Sequence, residues 1–488
     1  MTTPRPAILL FRNDLRLSDH PALTVAAAGG KPVICLYVND PDAPDPIGRA
    51  QLWWLHHSLA ALGRQIADLS GQLVLRAGKT RDVLGDVIRA TGADAVHWSR
   101  RYTPNAIAAD TALKAHLNDR GIHVESHAGR YLFEPWQIAT KAGTPFRVFT
   151  PFWRSCLAQL DAAPAPLPAP DASFMRDLPS ETLEGWGGLP TRPNWAAGFG
   201  SLWTPGEAGA MARLDSFLDK RAQGYAQGRD FPAATNVSNL SPHLQMGEIT
   251  PRQILASLRR AEVLGDVGQR DGAKFLAEVG WRDFSAYLLY HNPTLPLEEF
   301  QPKFAPFPWR DDAKDLTAWQ RGQTGYPIVD AGMRELLQTG TMHNRVRMIV
   351  ASFLIKHLRI NWRAGLSWFH DTLLDADVAS NAASWQWVAG CGADAAPYFR
   401  IFNPITQATK FDPDGTYIRQ WVPEIAALPD KYLGAPWKAP SAVLQAAHVT
   451  LGMTYPHPIV DHARARTAAL AAFEGLSASA ENVAIGDG

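Results

Sequence analysis

The sequence predicts two domains of different class: an α/β N-terminal domain built on a doubly wound parallel sheet, then an all-α C-terminal domain. Three observations predict it. Four short apolar runs before residue 100 alternate with helical patterns, the composition shifts to Ala, Pro and Gly between about 160 and 205, and from about 206 to 475 the strong patterns are helical. A chain of 488 residues is also too long for one ordinary core.

Ala7-Ile-Leu-Leu-Phe11, Val33 to Val38, Leu73-Val-Leu75 and Ala95-Val-His-Trp98 read as buried strands, because an apolar run without alternation suits a strand covered on both faces. Helical patterns near 50–69, 79–91 and 104–119 separate them, as in a parallel sheet with crossover helices. Ser18-Asp-His-Pro21 is a helix start, with polar cap candidates before a proline suited to the first turn. No GxGxxG follows the first strand, so a dinucleotide site is not supported there. The run Ala162-Ala-Pro-Ala-Pro-Leu-Pro-Ala-Pro170 cannot continue a helix or a central strand. The expected division is 1–130 for the α/β domain and 131–205 for a linker, Pro/Ala/Gly-rich in its later part. A helical domain over 206–475, with Pro251 to Val263 and Arg345 to Leu358 among its clearest helices, and a disordered tail over 476–488 complete it.

Lysine plus arginine and aspartate plus glutamate both number 47, which excludes a protein that is basic all over; nucleic-acid binding must come from a local cluster. Cys35, Cys156 and Cys391 are far apart and follow no metal spacing, so neither a disulfide framework nor a four-cysteine cluster is expected, and no metal. The N-terminus lacks a signal-peptide layout and no apolar stretch reaches membrane-spanning length. The expectation is a cytoplasmic protein with no membrane association, and a monomer.

The richest segment is Asp375-Ala-Asp-Val-Ala-Ser-Asn381-Ala-Ala-Ser-Trp385-Gln-Trp387, which runs into Pro397-Tyr-Phe-Arg400-Ile-Phe-Asn-Pro404. A helix turns about 100° per residue, so Trp385 and Trp387 project to nearly opposite sides, one suited to a cofactor and the other to a substrate. Asn381 lies four residues before Trp385 on the same face, where an amide hydrogen-bonds a heterocycle without placing a full charge beside it. The same pattern also describes a buried aromatic helix with one satisfied amide. Glu278, Trp281 and Phe284 share another helix face, as do Asn344 and Met348. An indole there suits stacking on an extruded base and a carboxyl suits a base edge, while a plain helix-helix contact would look alike. In Tyr225-Ala-Gln-Gly-Arg229-Asp-Phe-Pro and Val237-Ser238-Asn239-Leu240-Ser241-Pro242, small hydroxyls and backbone amides precede a helix, which suits an anion or simply caps a turn.

Three separated motifs carry a family resemblance: the 375–404 segment, the opening Leu9-Leu-Phe-Arg12-Asn13-Asp14-Leu15-Arg16, and Trp319-Gln-Arg-Gly-Gln-Thr-Gly325-Tyr-Pro-Ile-Val-Asp330 with Met342-His343-Asn344-Arg345-Val-Arg347-Met348. In their order along the chain they resemble the DNA photolyase and cryptochrome family, most closely the bacterial photolyases that act on cyclobutane pyrimidine dimers. Phe307-Pro-Trp309-Arg and Arg345-Val-Arg-Met-Ile-Val look most similar to class III, with class I next. The resemblance implies an α/β antenna domain and an FAD-binding helical domain. It further implies light-driven repair, in which photoexcited reduced FAD gives an electron to a flipped-out dimer.

The resemblance places Tyr225, Ser238, Leu240, Ser241 and Arg282 on the FAD phosphates and ribityl chain. Arg347, Asp375, Asp377 and Asn381 fall beside the flavin ring. Trp281 and Trp387 become walls of the lesion pocket, Glu278 and Asn344 its polar contacts, and Met348 its soft apolar surface. Arg229, Arg345 and Arg400 are assigned to flanking phosphates, and Trp385, Trp362 and Trp309 to a tryptophan chain that carries electrons to the flavin. An antenna of 5,10-methenyltetrahydrofolate is common in this branch, with Trp53, Trp54 and His56 able to line its site or to be core. The departures are Val237, where threonine is common, Asn239, where a basic residue is common, Thr341, where tryptophan or tyrosine often precedes Met342, and Ala106, where some relatives hold a pterin-binding glutamate. A cryptochrome photoreceptor and a (6-4) photolyase are the alternatives. Glu278, Trp281, Asn344, Met348 and Trp387 together speak against the cryptochrome, and His343 followed by Asn344 and Met348, where (6-4) enzymes usually employ two histidines, speaks against the (6-4) photolyase.

Overall fold

The computed structural model describes residues 4–162, 164–395 and 399–486, so Pro397 and Tyr398 of the motif above lie outside the described residues. Strands β1 (Ala7–Phe11), β2 (Val33–Asn39), β3 (Leu73–Ala77), β4 (Ala95–Ser99) and β5 (His123–His127) form a parallel sheet in the order β3-β2-β1-β4-β5. Ala7 of β1 is level with Val33 of β2 on one side and with Ala95 of β4 on the other. The central strand is buried along its whole length because successive side chains feed two separate cores. Leu9 and Phe11 join Leu23, Leu59, Leu62 and Ile66 on one face, and Ile8 and Leu10 join Val83, Leu84, Val87 and Leu117 on the other. This is the doubly wound sheet that the apolar runs predict. The fifth strand is an addition to that expectation. In His-Val-Glu-Ser-His only Val124 is apolar, and an edge strand can fold from a sequence with no continuous hydrophobic run.

The chain separates into two compact units, Met1–Tyr225 with Ser238–Pro293 and Leu374–Asp377, and Ala226–Val237 with Thr294–Leu373 and Val378–Gly488. These units divide the chain otherwise than boundaries at 130, 205 and 475 would. The helices Glu207–Lys220, Pro251–Leu264 and Gln269–His291 belong with the sheet in the first unit. The stretch 131–205 is not a bare linker either. It contains the helix Phe149–Leu157, Val33 exchanges backbone hydrogen bonds with Ser173 and Met175 at 2.7 and 2.9 Å, and Phe174 enters the core. The helix His462–Gly486 covers most of the segment expected as a disordered tail.

Proline starts several helices, at Pro21, Pro104, Pro251, Pro327 and Pro404, where its missing N–H is no loss. Thr250 and Gln253 form a reciprocal capping box at the start of Pro251–Leu264. The segment from Arg345 to Leu358, expected as one helix, is the helix Asn344–Ser352 followed by a π turn over Phe353–His357. That turn brings Lys356 and His357 into the interior. Cys35, Cys156 and Cys391 are free and buried.

Candidate active site

In the first unit the helix Gln269–His291 carries Glu278, Trp281 and Arg282. Trp281 is stacked flat on Phe149, with ring centres 3.8 Å apart and planes 10° apart, and Phe149 lies parallel to Trp153 behind it. Phe149 therefore backs one face of the indole and fixes its plane. Glu278 pairs with Lys274 one turn earlier at 3.1 Å. Gly280 allows this helix to approach the helix Phe149–Leu157, since a Cβ there would stand 2.5 Å from the Trp153 ring. Gly280→Ala is expected to lower stability by about 1–3 kcal/mol through that overlap, less the roughly 1 kcal/mol that alanine gains in a helix. An unchanged melting temperature would show that the two helices have slack.

Arg282 points at backbone carbonyls, donating to those of Arg130 at 2.7 Å and Leu244 at 3.2 Å, with its guanidinium over the Tyr131 ring. Burial lowers its pKa, the cost of holding this charge away from water. Arg130, which the sequence reading missed, bonds Gln245 at 2.8 Å and lies 3.5 Å from Asp377. Asp377 and Asp375 sit on a short segment tied down by Gln51, whose amide donates to Ala376 at 2.8 Å. Tyr225 is buried between Phe217 and Phe275. Ser238 accepts from the backbone of Leu240 at 3.4 Å, and Ser241 opens the helix Ser241–Met246. Between them Asn239 has φ of 52°, a left-handed conformation that asparagine tolerates better than lysine or arginine. That gives the Asn239 departure a backbone reason. Trp53 and Trp54 are buried in a core cluster with Phe199 and Trp203. Ala106 is buried in the first turn of the helix Pro104–Asn118.

In the second unit the helix Val378–Ala389 separates its two indoles as the periodicity predicts. Trp385 is buried against Phe369 and Trp319, at 5.0 and 6.2 Å between ring centres, and a Cβ on Gly365 would overlap its ring. Trp387 is half-buried on the other side and donates to the carbonyl of Asp394 at 3.0 Å. Asn381 donates to the Leu366 carbonyl at 3.0 Å, which fixes its amide and leaves further hydrogen-bonding capacity on it. Trp362 is fully buried, donates to Glu299 at 3.2 Å and lies under the Arg363 guanidinium, while Trp309 is half-buried against Phe307. Among the described residues the ring neighbours of Trp385 are Trp319 and Phe369, and Trp362 is not one of them.

The helix Asn344–Ser352 starts with His343, whose ring accepts from the Arg345 N–H at 3.2 Å. Burial, then the Arg229 charge, lowers the His343 pKa to about 4, so the ring stays neutral and able to accept. Asn344 is exposed and Met348 half-buried. Arg345 is not a surface cation: it pairs with Asp230 at 2.8 Å and lies over Phe411. Arg400 is exposed. Arg347 donates to the Met342 carbonyl at 2.7 Å and meets the Thr341 hydroxyl at 3.5 Å, a contact that a tryptophan at 341 would not offer in this form. Glu335, also missed from sequence, accepts from Tyr417 at 2.5 Å and from the His343 backbone at 3.3 Å; burial raises its pKa to about 7. It props the turn that presents Asn344. Phe149, Arg130, Asp230 and Glu335 share one property: each meets its partner through tertiary contact, which no local spacing reveals.

Comparison with known proteins adds identity to this geometry. Residues 7–171 match the family model for DNA photolyase, and residues 275–475 match that for the FAD binding domain of DNA photolyase. A deoxyribodipyrimidine photo-lyase of Agrobacterium fabrum is 52% identical over 473 residues, 96% of this chain and 98% of that protein. The chain belongs to the DNA photolyase family. Within the family, a bacterial class III photolyase from Agrobacterium tumefaciens has the same fold, with a TM-score of 0.95, 52% identity and 98% of both chains covered. Cryptochrome-2 of Arabidopsis thaliana is more distant, at 36% identity over 96% of this chain and 78% of its own. The FAD-binding match includes Glu278, Trp281, Arg282, Asn344, Arg347, Asp375, Asp377, Asn381, Trp385 and Trp387, and leaves Tyr225, Ser238, Leu240 and Ser241 before its start. The residues present fit FAD on an independent ground: the buried indole N–H of Trp385 has no acceptor among the described residues, which suits a bound group beside it.

Proposed function

We propose that the chain is a light-driven lyase that repairs cyclobutane pyrimidine dimers in DNA. The observation that carries this reading is similarity along nearly the full chain, at 52% identity, to a deoxyribodipyrimidine photo-lyase, against 36% to a plant cryptochrome. When bound and reduced, FAD would supply under light the electron that splits the dimer and that returns to it once the dimer has split. The chain's own residues do the rest. Tyr225, Ser238, Leu240, Ser241 and Arg282 would hold the phosphates and ribityl chain, Arg347, Asp375 and Asp377 would set the electrostatics near the ring, and Asn381 would hydrogen-bond a ring nitrogen. Trp281 and Trp387 stack on the extruded pyrimidines, Glu278 and Asn344 bond their edges, and Met348 supplies apolar contact. Arg229 and Arg400 serve phosphates, with Arg345 a weaker candidate because Asp230 already neutralises it. A 5,10-methenyltetrahydrofolate antenna, a cytoplasmic location and a monomeric state belong to the same proposal. Among the described residues no helix is long and apolar enough to cross a membrane.

The decisive experiment incubates the purified flavoprotein with dimer-containing DNA in blue light and in darkness. Loss of dimers only in light is expected. Dimers that survive both, with DNA still bound, would favour a photoreceptor and end the repair reading. For electron supply, Trp362→Phe is expected to slow photoreduction of oxidised FAD strongly while leaving repair by prereduced enzyme nearly intact. Normal photoreduction in that variant, followed by its loss in Trp319→Phe, would move the route to the Trp319 side of Trp385.

A further inference from the structure

Strand β5 reads His123-Val-Glu125-Ser-His127, and alternation along a strand puts its two histidines and its glutamate on one face. Parallel register places His97 of β4 level with Glu125, on that same face. The rings of His97 and His127 are buried, whereas the Glu125 side chain is 47% exposed. His97 Nδ1 and His127 Nε2 stand 3.2 Å apart, and one donor atom from each of the three residues can be chosen so that all lie within 4.8 Å of one another. Two nitrogens bound to one tetrahedral zinc at about 2.0–2.1 Å lie about 3.3 Å from each other. The histidine pair is already at that spacing, and the exposed glutamate has the freedom to close the remaining gap.

We propose that His97, Glu125 and His127 form a divalent cation site, with zinc as the cation these donors suit, clipping the edge strand β5 to β4. Two imidazoles and one carboxylate are a borderline-soft set that suits zinc over magnesium or calcium. The fourth position falls to water or to His123, whose ring centre is 6.0 Å from that of His97 and whose Nε2 is 3.9 Å from Glu125. Nearby cations are already paired. Arg100 donates to Glu134 at 2.9 Å and to the Ser126 carbonyl at 2.5 Å, and Lys31 pairs with Asp94 at 2.9 Å. Burial, the largest influence on both rings, lowers the pKa of His97 and of His127, favouring the neutral imidazole that a metal needs. None of these residues has a part in the flavin or lesion chemistry. The expectation of no metal rested on cysteine spacing, whereas these donors are histidines on neighbouring strands. The competing account is a plain hydrogen bond between two neutral imidazoles.

The two accounts separate in a titration of the purified, chelator-stripped flavoprotein with Zn²⁺ against a chromophoric competitor. One equivalent per chain is expected for the parent protein, with loss of that equivalent in His97→Asn/His127→Asn. Glu125→Gln is expected to bind about tenfold or more weakly while keeping its flavin absorbance, because this side chain is half outside the fold. Equal zinc uptake by the parent and the double histidine variant would overturn the site. If that variant does not fold, an affinity unchanged by Glu125→Gln would overturn it instead.

Discussion

Trp281→Ala is expected to erase most of the preference for dimer-containing DNA, by about 10- to 100-fold, and to leave binding to undamaged duplex nearly unchanged. The magnitude follows from stacking, worth about 1–3 kcal/mol per base, with roughly 1.4 kcal/mol for each tenfold change. The selectivity follows from geometry: undamaged pyrimidines stay stacked in the duplex and do not reach an indole whose plane is already fixed by Phe149 at 3.8 Å. Arg400→Ala should behave oppositely. An exposed guanidinium on a phosphate contributes to all DNA alike, so both affinities fall together and the slope of log affinity against log salt flattens by about 1. Arg345→Ala should do less of this, since its charge is engaged with Asp230. Salt titrations on matched oligonucleotides with and without one thymine dimer measure all three. Equal losses on both DNAs in Trp281→Ala would remove that residue from lesion recognition.

The second large effect concerns stability. Lys356→Met is expected to stabilise the protein by about 2–4 kcal/mol at pH 7 and by almost nothing above about pH 10.5. Burial lowers the Lys356 pKa from 10.5 to about 7, even though its ammonium lies 3.2 Å from the centre of the Phe399 ring. Below pH 7 the lysine is charged in both states, and the folded protein bears the full penalty of the buried charge. Between about 7 and 10.5 the unfolded chain holds a proton that the folded chain does not, so the parent protein gains stability from this group as pH rises. Each pKa unit is worth about 1.4 kcal/mol, and the estimate is reduced for the lost cation–π contact. Denaturant unfolding of both proteins from pH 6 to 10 checks it. A difference that is constant with pH would mean that Lys356 keeps its proton throughout.

Much of this molecule was legible before its structure, for reasons that differ by element. The runs at Ala7, Val33 and Ala95 announce themselves because interior strands of a parallel sheet are apolar on both faces, and the run at Leu73, on an edge, because Leu-Val-Leu is itself apolar. β5 does not, because its edge position tolerates two histidines, a glutamate and a serine. The opposed faces of Trp385 and Trp387 follow from helix geometry and hold. The stack of Trp281 on Phe149, 132 positions earlier in the chain, and the engagement of Arg345 by Asp230, 115 positions away, belong to tertiary packing and leave no periodic trace. Asn239 was visible as a departure, but its reason, a left-handed backbone, became readable only from the fold.

The three buried cysteines have a consequence for a protein proposed to move single electrons under light. A thiolate is the form that reacts with oxidants and alkylating agents, and burial disfavours it at all three positions, raising Cys35 and Cys156 well beyond the usual range and Cys391 to about 12. Thiolate chemistry is thereby disfavoured at these three positions at neutral pH. Electrons drawn toward an excited cofactor then have the indoles as donors without competition from thiolates at these positions.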